Sequence, residues 1–333
     1  MLADIINEYG EKQSPYMRNL VNHLPMGQLA FYKLTKDLEG LKEYSKEYNE
    51  KFKINPVKTE YPKKSSLEEC LGKRELYESC LDIIKERSKK EGLDSLMSEV
   101  LNKYDLGMSS GLFHTLIRLA YGVEGYELDK GYKEEIERGL AYYVTGYREA
   151  KPFARKIKGK DIINEMDKLS KNLHISELVS DKDTMGQGMK ALYGDELYVN
   201  ELGFIIEGSP DDKIEALLEL LIPTYYNSRN IVVLHCITGL HALIVLKEYY
   251  EDFSNGIDIL TTSIITHILA SNIKDYKYRI ENTTELSWDC LKIKGSRSKD
   301  VHTVKLTYST YQLSKLYNIR ELKDIALQRI RHT

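Results

Sequence analysis

The chain has 333 residues (38.5 kDa), with 48 basic against 51 acidic side chains and a formal net charge of −3. A hydrophobic fraction of 42% beside 30% charged residues is a globular balance, which excludes a disordered or collagen-like chain. The near-neutral charge argues against a protein built to wrap nucleic acid or to lie on an anionic membrane.

Taken in chain order, the apolar pattern has helical spacing nearly everywhere, and no proline follows Pro223. Leu29, Leu34, Leu38 and Leu41 mark an early helix or helix pair. Leu67–Lys90 and Leu93–Tyr104 read as two more, broken at Gly92. Ser109 and Ser110 offer caps for a helix through His114, Ile117, Arg118 and Tyr121, which Gly122 and Gly125 would stop. Glu134–Tyr147 follows, ended before Lys151-Pro152. The stretch from Ala154 to Pro210 is irregular. Pattern returns at Asp211–Leu221, Asn230–Tyr250, Ile257–Ser271, Thr284–Lys294, Lys299–Tyr317 and Glu321–Arg331. The expected fold is all-α, roughly a dozen helices in a single domain over residues 1–333, with its core at about 20–320.

Cys70, Cys80, Cys236 and Cys290 form no Cys-x-x-Cys pair, as expected of free thiols in a reducing compartment. Met1–Tyr16 lacks the apolar run of a signal peptide. Ile231–Leu246 is too short for a bilayer and carries His235 and His241, so it reads as a buried core helix. The expected location is cytoplasmic, with neither membrane nor nucleic acid as a partner.

Histidine is the informative residue, because only eight occur, and His23, His114, His235, His241 and His302 stand in or beside apolar helical text. In Asn22-His23-Leu24-Pro25-Met26 the proline suits a first helical turn, which places His23 at a helix start with Asn22 as its cap. Positions three apart lie ~60° apart around a helix, so His302 shares a face with Lys305, and His235 with Thr238. His235 and His241 are six apart, roughly 120° around, and should not both face one centre. One histidine from each of four helices would bring four imidazoles together in a bundle core, a donor set that suits iron, zinc, copper or nickel. A lone histidine in such text is more often a hydrogen-bonded core residue, and the spacing alone leaves both readings open.

Stronger motifs are absent. There is no His-Glu-x-x-His, no Walker A and no Gly-x-Ser-x-Gly. Gly186-Gln187-Gly188-Met189-Lys190-Ala191 matches a dinucleotide fingerprint in letters, but the text before it is no buried strand.

Four blocks in order resemble the questin oxidase-like family: Asn-His-Leu-Pro-Met at 22–26, Phe-His-Thr-Leu-Ile-Arg-Leu-Ala-Tyr at 113–121, His-Cys-Ile-Thr-Gly-Leu-His-Ala-Leu at 235–243 and Asp-Val-His-Thr-Val-Lys-Leu-Thr at 300–307. The resemblance implies an oxidoreductase, an oxygenase that opens anthraquinone-type aromatic rings with O2 by ring cleavage or Baeyer–Villiger-like oxygen insertion. It also implies a mononuclear non-haem Fe(II) held by His23, His114, His235 and His302, with a carboxylated Lys305 as fifth ligand. Asn22 and Thr238 would orient the imidazoles, and Arg118 would pair with a substrate phenolate. Some family reactions call on NADPH, for which the chain shows no dinucleotide motif. The partners expected are a small aromatic substrate and O2. Two alternatives stand beside this: a helical metal-binding or sensing protein without catalysis, and an interaction scaffold with structural histidines.

Overall fold

The computed structural model describes residues 1–17, 21–274, 276, 280 and 283–333. Among these, seventeen α-helices carry the fold: α1 Leu2–Gly10, α2 Leu24–Thr35, α3 Leu38–Lys51, α4 Leu67–Cys70, α5 Tyr77–Glu91, α6 Leu93–Lys103, α7 His114–Leu128, α8 Lys133–Gly146, α9 Ile162–Lys171, α10 Leu173–Ser180, α11 Met185–Tyr193, α12 Pro210–Ser228, α13 Ile231–Val245, α14 Phe253–Ala270, α15 Trp288–Ser296, α16 Val301–Tyr317 and α17 Leu322–Arg331. The all-α expectation holds. The helix count exceeds the expected dozen because the irregular stretch winds into α9, α10 and α11, Leu67–Lys90 divides into α4 and α5, and α1 forms ahead of the first expected helix. That stretch also holds two short strands, β1 Arg155–Lys158 and β2 Phe204–Glu207, paired in parallel with Arg155 opposite Phe204.

The early pair is two helices, because Lys36 takes a left-handed conformation and Asp37 caps α3 through Gly40 N–H. Leu67–Lys90 is not continuous: Gly72, at φ +69°, turns the chain between α4 and α5. Gly92 breaks α5 from α6 as expected. The dinucleotide-like letters lie on α11, whose start Thr184 caps through Gln187 N–H, with no strand before them. The helix begun at Pro210 runs on through Pro223 to Ser228, past the expected end at Leu221.

Gly122 and Gly125 do not stop α7. Both are buried inside it, where they let α8 and the chain before it come close. A Cβ on Gly122 would meet Ile136 at 3.2 Å, and one on Gly125 would lie 2.1 Å from the Tyr132 ring. Glycine here serves close approach, so the helix runs on to Leu128.

The main apolar core is one contiguous cluster from Leu2 to Ile325, in which α7 packs on α8 and α13, and α13 on α16. The start of α2 docks against α16, so the N-terminal turns of α2, α7, α13 and α16 meet in one region. Among the described residues no helix is long and apolar enough to cross a membrane.

Candidate metal centre

The chain turns that deliver the four histidines are locally unusual. His23 is the residue just before α2, and Asn22 accepts a hydrogen bond from Leu24 N–H at 3.0 Å, which fixes the turn one residue ahead of the helix. His114 is the first residue of α7. It follows three consecutive residues at positive φ, Gly111 (59°), Leu112 (58°) and Phe113 (64°). Two of these are not glycine, a conformation that costs roughly 1–2 kcal/mol each and persists only where packing enforces it. Phe113 is fully buried, against His267 and under Gly239, where a Cβ would approach its ring to 2.8 Å. Ser109 and Ser110 are therefore not the caps of α7. The Ser110 hydroxyl accepts instead from Arg148 N–H at 2.7 Å.

His235 lies in the second turn of α13, and His302 in the first turn of α16, which Asp300 caps. The four rings come together: among the described residues, one nitrogen from each of His23, His114, His235 and His302 lies within 4.8 Å of all the others. His23, His114 and His235 are buried, and His302 retains 22% side-chain exposure.

The outer nitrogens decide what the inner ones are. His23 Nδ1 donates to Val21 O at 2.7 Å, His114 Nδ1 to Gly111 O at 2.5 Å and His235 Nδ1 to Ile231 O at 2.7 Å. A carbonyl oxygen can only accept, so each Nδ1 carries the proton and each Nε2 presents a lone pair. His302 Nδ1 faces Asp300 Oδ1 at 3.1 Å and donates to it in the same way.

The strained turn before His114 thus has a local purpose, since it aims the Gly111 carbonyl at the ring. His114 Nε2 and His23 Nε2 are 2.7 Å apart. With both protons on Nδ1, two lone pairs face each other at hydrogen-bond distance, an arrangement that a cation between them would reconcile. His235 Nε2 is buried with no partner at all among the described residues. Backbone carbonyls and a carboxylate on the outer nitrogens are what metal-ligating imidazoles ordinarily have.

The electrostatics keep these rings neutral. Burial pushes His23, His114 and His235 well below the usual histidine value, and the neighbouring histidines and Lys305 add to the effect. His302 is lowered as well, mainly by burial, with Asp300 opposing. The positive ends of four helices act in the same direction.

Lys305, one turn after His302, is fully buried and its Nζ has no partner among the described residues. Burial brings its pKa down to about 7. Asp300, which sequence reasoning left out, accepts from His302 N–H and from the Arg329 guanidinium. Burial would raise its carboxyl, but those contacts hold it well below the usual carboxylate range. An Asp two residues before a His at a helix start was the available signal. Tyr48 was also missed: its hydroxyl accepts from His23 N–H at 3.1 Å, a pairing between helices that no local pattern announces.

Three expected roles are corrected. Asn22 binds backbone and Gln13, not an imidazole. Thr238 donates to the His235 carbonyl at 3.3 Å, one turn back on α13, instead of reaching the ring. Arg118 is buried and committed: its Nε and Nη2 donate to the two oxygens of Glu135 at 2.7 and 3.2 Å. Arg138 adds a third bond to Glu135 at 2.9 Å. Arg118 Nη1 has no partner among the described residues, but it too is buried in the core, so the guanidinium is not held out for a substrate phenolate. His241, which the family resemblance left out in favour of His235, packs against Tyr121 and Tyr308, away from the cluster.

The family model described as questin oxidase-like matches residues 20–310. The chain belongs to the questin oxidase-like family. No curated protein matches it. Membership suggests an oxidoreductase of oxygenase type, and the convergent imidazoles of this family member are a set that can bind a metal ion.

Proposed function

We propose that this questin oxidase-like protein is an Fe(II)-dependent oxygenase acting on a small aromatic, anthraquinone-type substrate, with His23, His114, His235 and His302 holding the metal. The observation that carries the reading is the 2.7 Å approach of the unprotonated His23 and His114 Nε2 atoms, beside the unpartnered His235 Nε2. A scaffold with structural histidines would pair such nitrogens with donors, because an unmet buried acceptor costs about 1–3 kcal/mol. When bound, iron(II) supplies the capacity to activate dioxygen that ring cleavage or oxygen insertion requires.

Four neutral imidazoles bring no negative charge, and the helix ends around them are positive. Lys305 answers that need. Burial lowers its pKa to about 7, which makes the neutral amine accessible, so its nitrogen can attack carbon dioxide: an N–C bond forms, one carbon–oxygen π bond opens and the amine proton leaves to solvent. The carbamate oxygen would then be a hard fifth ligand that offsets part of the metal's charge. The carbonyls of Val21, Gly111 and Ile231, with Asp300, hold the imidazoles in the ligating tautomer, and burial keeps competing water off three of the four rings.

The test is oxygen uptake by the iron-loaded full-length protein with a hydroxylated anthraquinone. Substrate-dependent uptake that His235→Ala abolishes supports the assignment. Iron binding without any uptake across a panel of phenolic aromatics would leave a metal-binding protein without oxygenase activity.

A further inference from the structure

We infer that Tyr308 is a redox-active residue of this protein: it gives one electron to an iron ion that dioxygen has taken above the ferric state, while its phenolic proton passes to Glu124. The inference rests on the proposed oxygenase reading for its oxidant, and on a second buried cluster, separate from the four ligating histidines, for its residues.

Where α13 packs on α7 and on α16, four buried side chains meet: Tyr121 and Glu124 from α7, His241 from α13 and Tyr308 from α16. The Tyr121 and Tyr308 rings stand 5.6 Å apart at 85°, with the His241 ring 6.3 Å from the first and 5.7 Å from the second. The Tyr308 hydroxyl donates to Glu124 Oε1, and the Tyr121 hydroxyl shares a 3.0 Å hydrogen bond with Ser309 Oγ. The other Glu124 oxygen and His241 Nδ1 have no partner among the described residues. A half-paired carboxylate is a costly way to fill a core that apolar side chains could fill. What the arrangement does provide is a buried phenol with a proton acceptor already bonded to it.

Both tyrosines lie near the histidine cluster along its own helices. Tyr308 is one turn past Lys305 on α16. Tyr121 is seven residues past His114 on the same face of α7, about 10 Å along the axis by helical rise. Electron tunnelling across such a span needs neither a bonded path nor an open channel. Burial, with Glu124 adding to it, pushes the Tyr308 phenol far above the usual tyrosine range, so it does not ionise ahead of its oxidation. The two particles therefore leave together. The phenolic O–H bond breaks, the electron lowers the iron by one oxidation state, and the proton forms a new O–H bond at Glu124 Oε1. A neutral tyrosyl radical and a neutral carboxylic acid remain, so the pair loses its buried negative charge and burial favours the step.

Glu124 accepts that proton only as a carboxylate, which ties the step to pH. Burial raises its pKa to about 7; Lys33 of α2, Tyr308 and Lys315 of α16 oppose the rise, and Glu127 on its own helix adds to it. His241, the titratable neighbour from α13, stays neutral throughout, because burial and Lys33 bring it down to about 3. The radical should therefore form more readily as pH rises through about 7.

The experiment mixes the anaerobic, iron(II)-loaded full-length protein with dioxygen in the absence of substrate, freezes it rapidly and records its electron paramagnetic resonance spectrum. The expected signal is an organic radical that narrows when the protein carries ring-deuterated tyrosine, with a yield that rises through about pH 7. Tyr308→Phe should remove it, and Tyr121→Phe should retain it. Glu124→Gln, which keeps the shape but cannot take the proton, should cut the yield at least about tenfold on the alkaline side and flatten its pH dependence. Iron oxidised without any radical, a radical that survives Tyr308→Phe, or one that Glu124→Gln leaves at the parent yield overturns the inference and leaves the oxygenase reading standing. Protein that takes up no iron, or bound iron(II) that dioxygen leaves unoxidised, overturns both.

Discussion

Two buried polar clusters share α7, and they solve burial in opposite ways. Around Glu135, charges of opposite sign neutralise one another: Arg118 and Arg138 both donate to its carboxylate, and Arg138 also reaches Asn7 on α1. Burial alone would raise the Glu135 carboxyl, yet Arg118 and Arg138 together hold it below its ordinary value. Around His114, one turn earlier, hydrogen bonds satisfy only the outer side of each ring, and the inner nitrogens converge on one another. A cluster that closes on itself stabilises a fold. One that leaves its lone pairs facing inward can receive a metal ion.

The largest expected effect follows from breaking the closed cluster. Glu135→Ala leaves two buried guanidinium groups without their carboxylate and should lower stability by about 3–5 kcal/mol, read by urea denaturation. A loss below 1 kcal/mol would mean that the pairing is incidental.

The open cluster should behave in the reverse sense, gaining stability from a ligand. At a hundredfold excess over Kd, zinc, a redox-inert stand-in, should raise unfolding stability by about 2.7 kcal/mol. The corresponding rise in melting temperature should be absent in His235→Ala. A shift of equal size in both proteins would place the zinc elsewhere.

Asp300→Asn keeps the shape but weakens the acceptor behind His302. Metal affinity should fall about 10–100-fold by calorimetric titration, with the stoichiometry unchanged. Unaltered affinity would show that His302 needs no carboxylate to hold its ring.

A pH-dependent effect, read as a slope, concerns Glu124, an intermediate case two turns further along α7. Its carboxyl accepts from the Tyr308 hydroxyl while its other oxygen has no partner among the described residues, and burial pushes its pKa up to about 7. Lys33 and Lys315 oppose that rise, and Glu127 adds to it. The folded protein therefore keeps a proton that the unfolded chain gives up from about pH 4.5, and stability falls as pH rises from there to about 7. Glu124→Gln has no such proton. Its stability relative to the parent should grow through that window by up to about 1.4 kcal/mol per pH unit and then level off. Parallel pH profiles for the two proteins would show that Glu124 titrates normally.

The fold class was legible because helical periodicity and scarce prolines recur along the chain, and His23, His114, His235 and His302 were legible as rare residues in apolar helical text. The angle between His235 and His241 showed only that both could not face one centre, and the family resemblance chose His235. Pairings between distant segments were not legible. Arg118 looked available because Glu135 lies on another helix, and nothing local links Tyr48 to His23 N–H, 25 positions away. Gly122 and Gly125 read as helix stops because a sequence shows the missing side chain and not the helix that fills its place. The strands β1 and β2, four residues each, are too short for alternation to register, and their partner is remote.

The central claim is that four inward-facing imidazoles hold a metal ion. Its most direct test is the metal content of the full-length protein, purified without chelator and quantified by inductively coupled plasma mass spectrometry beside His235→Ala. About one iron per chain in the parent and none in the variant is the predicted result. No metal in the parent, even after anaerobic loading with iron(II), would contradict it.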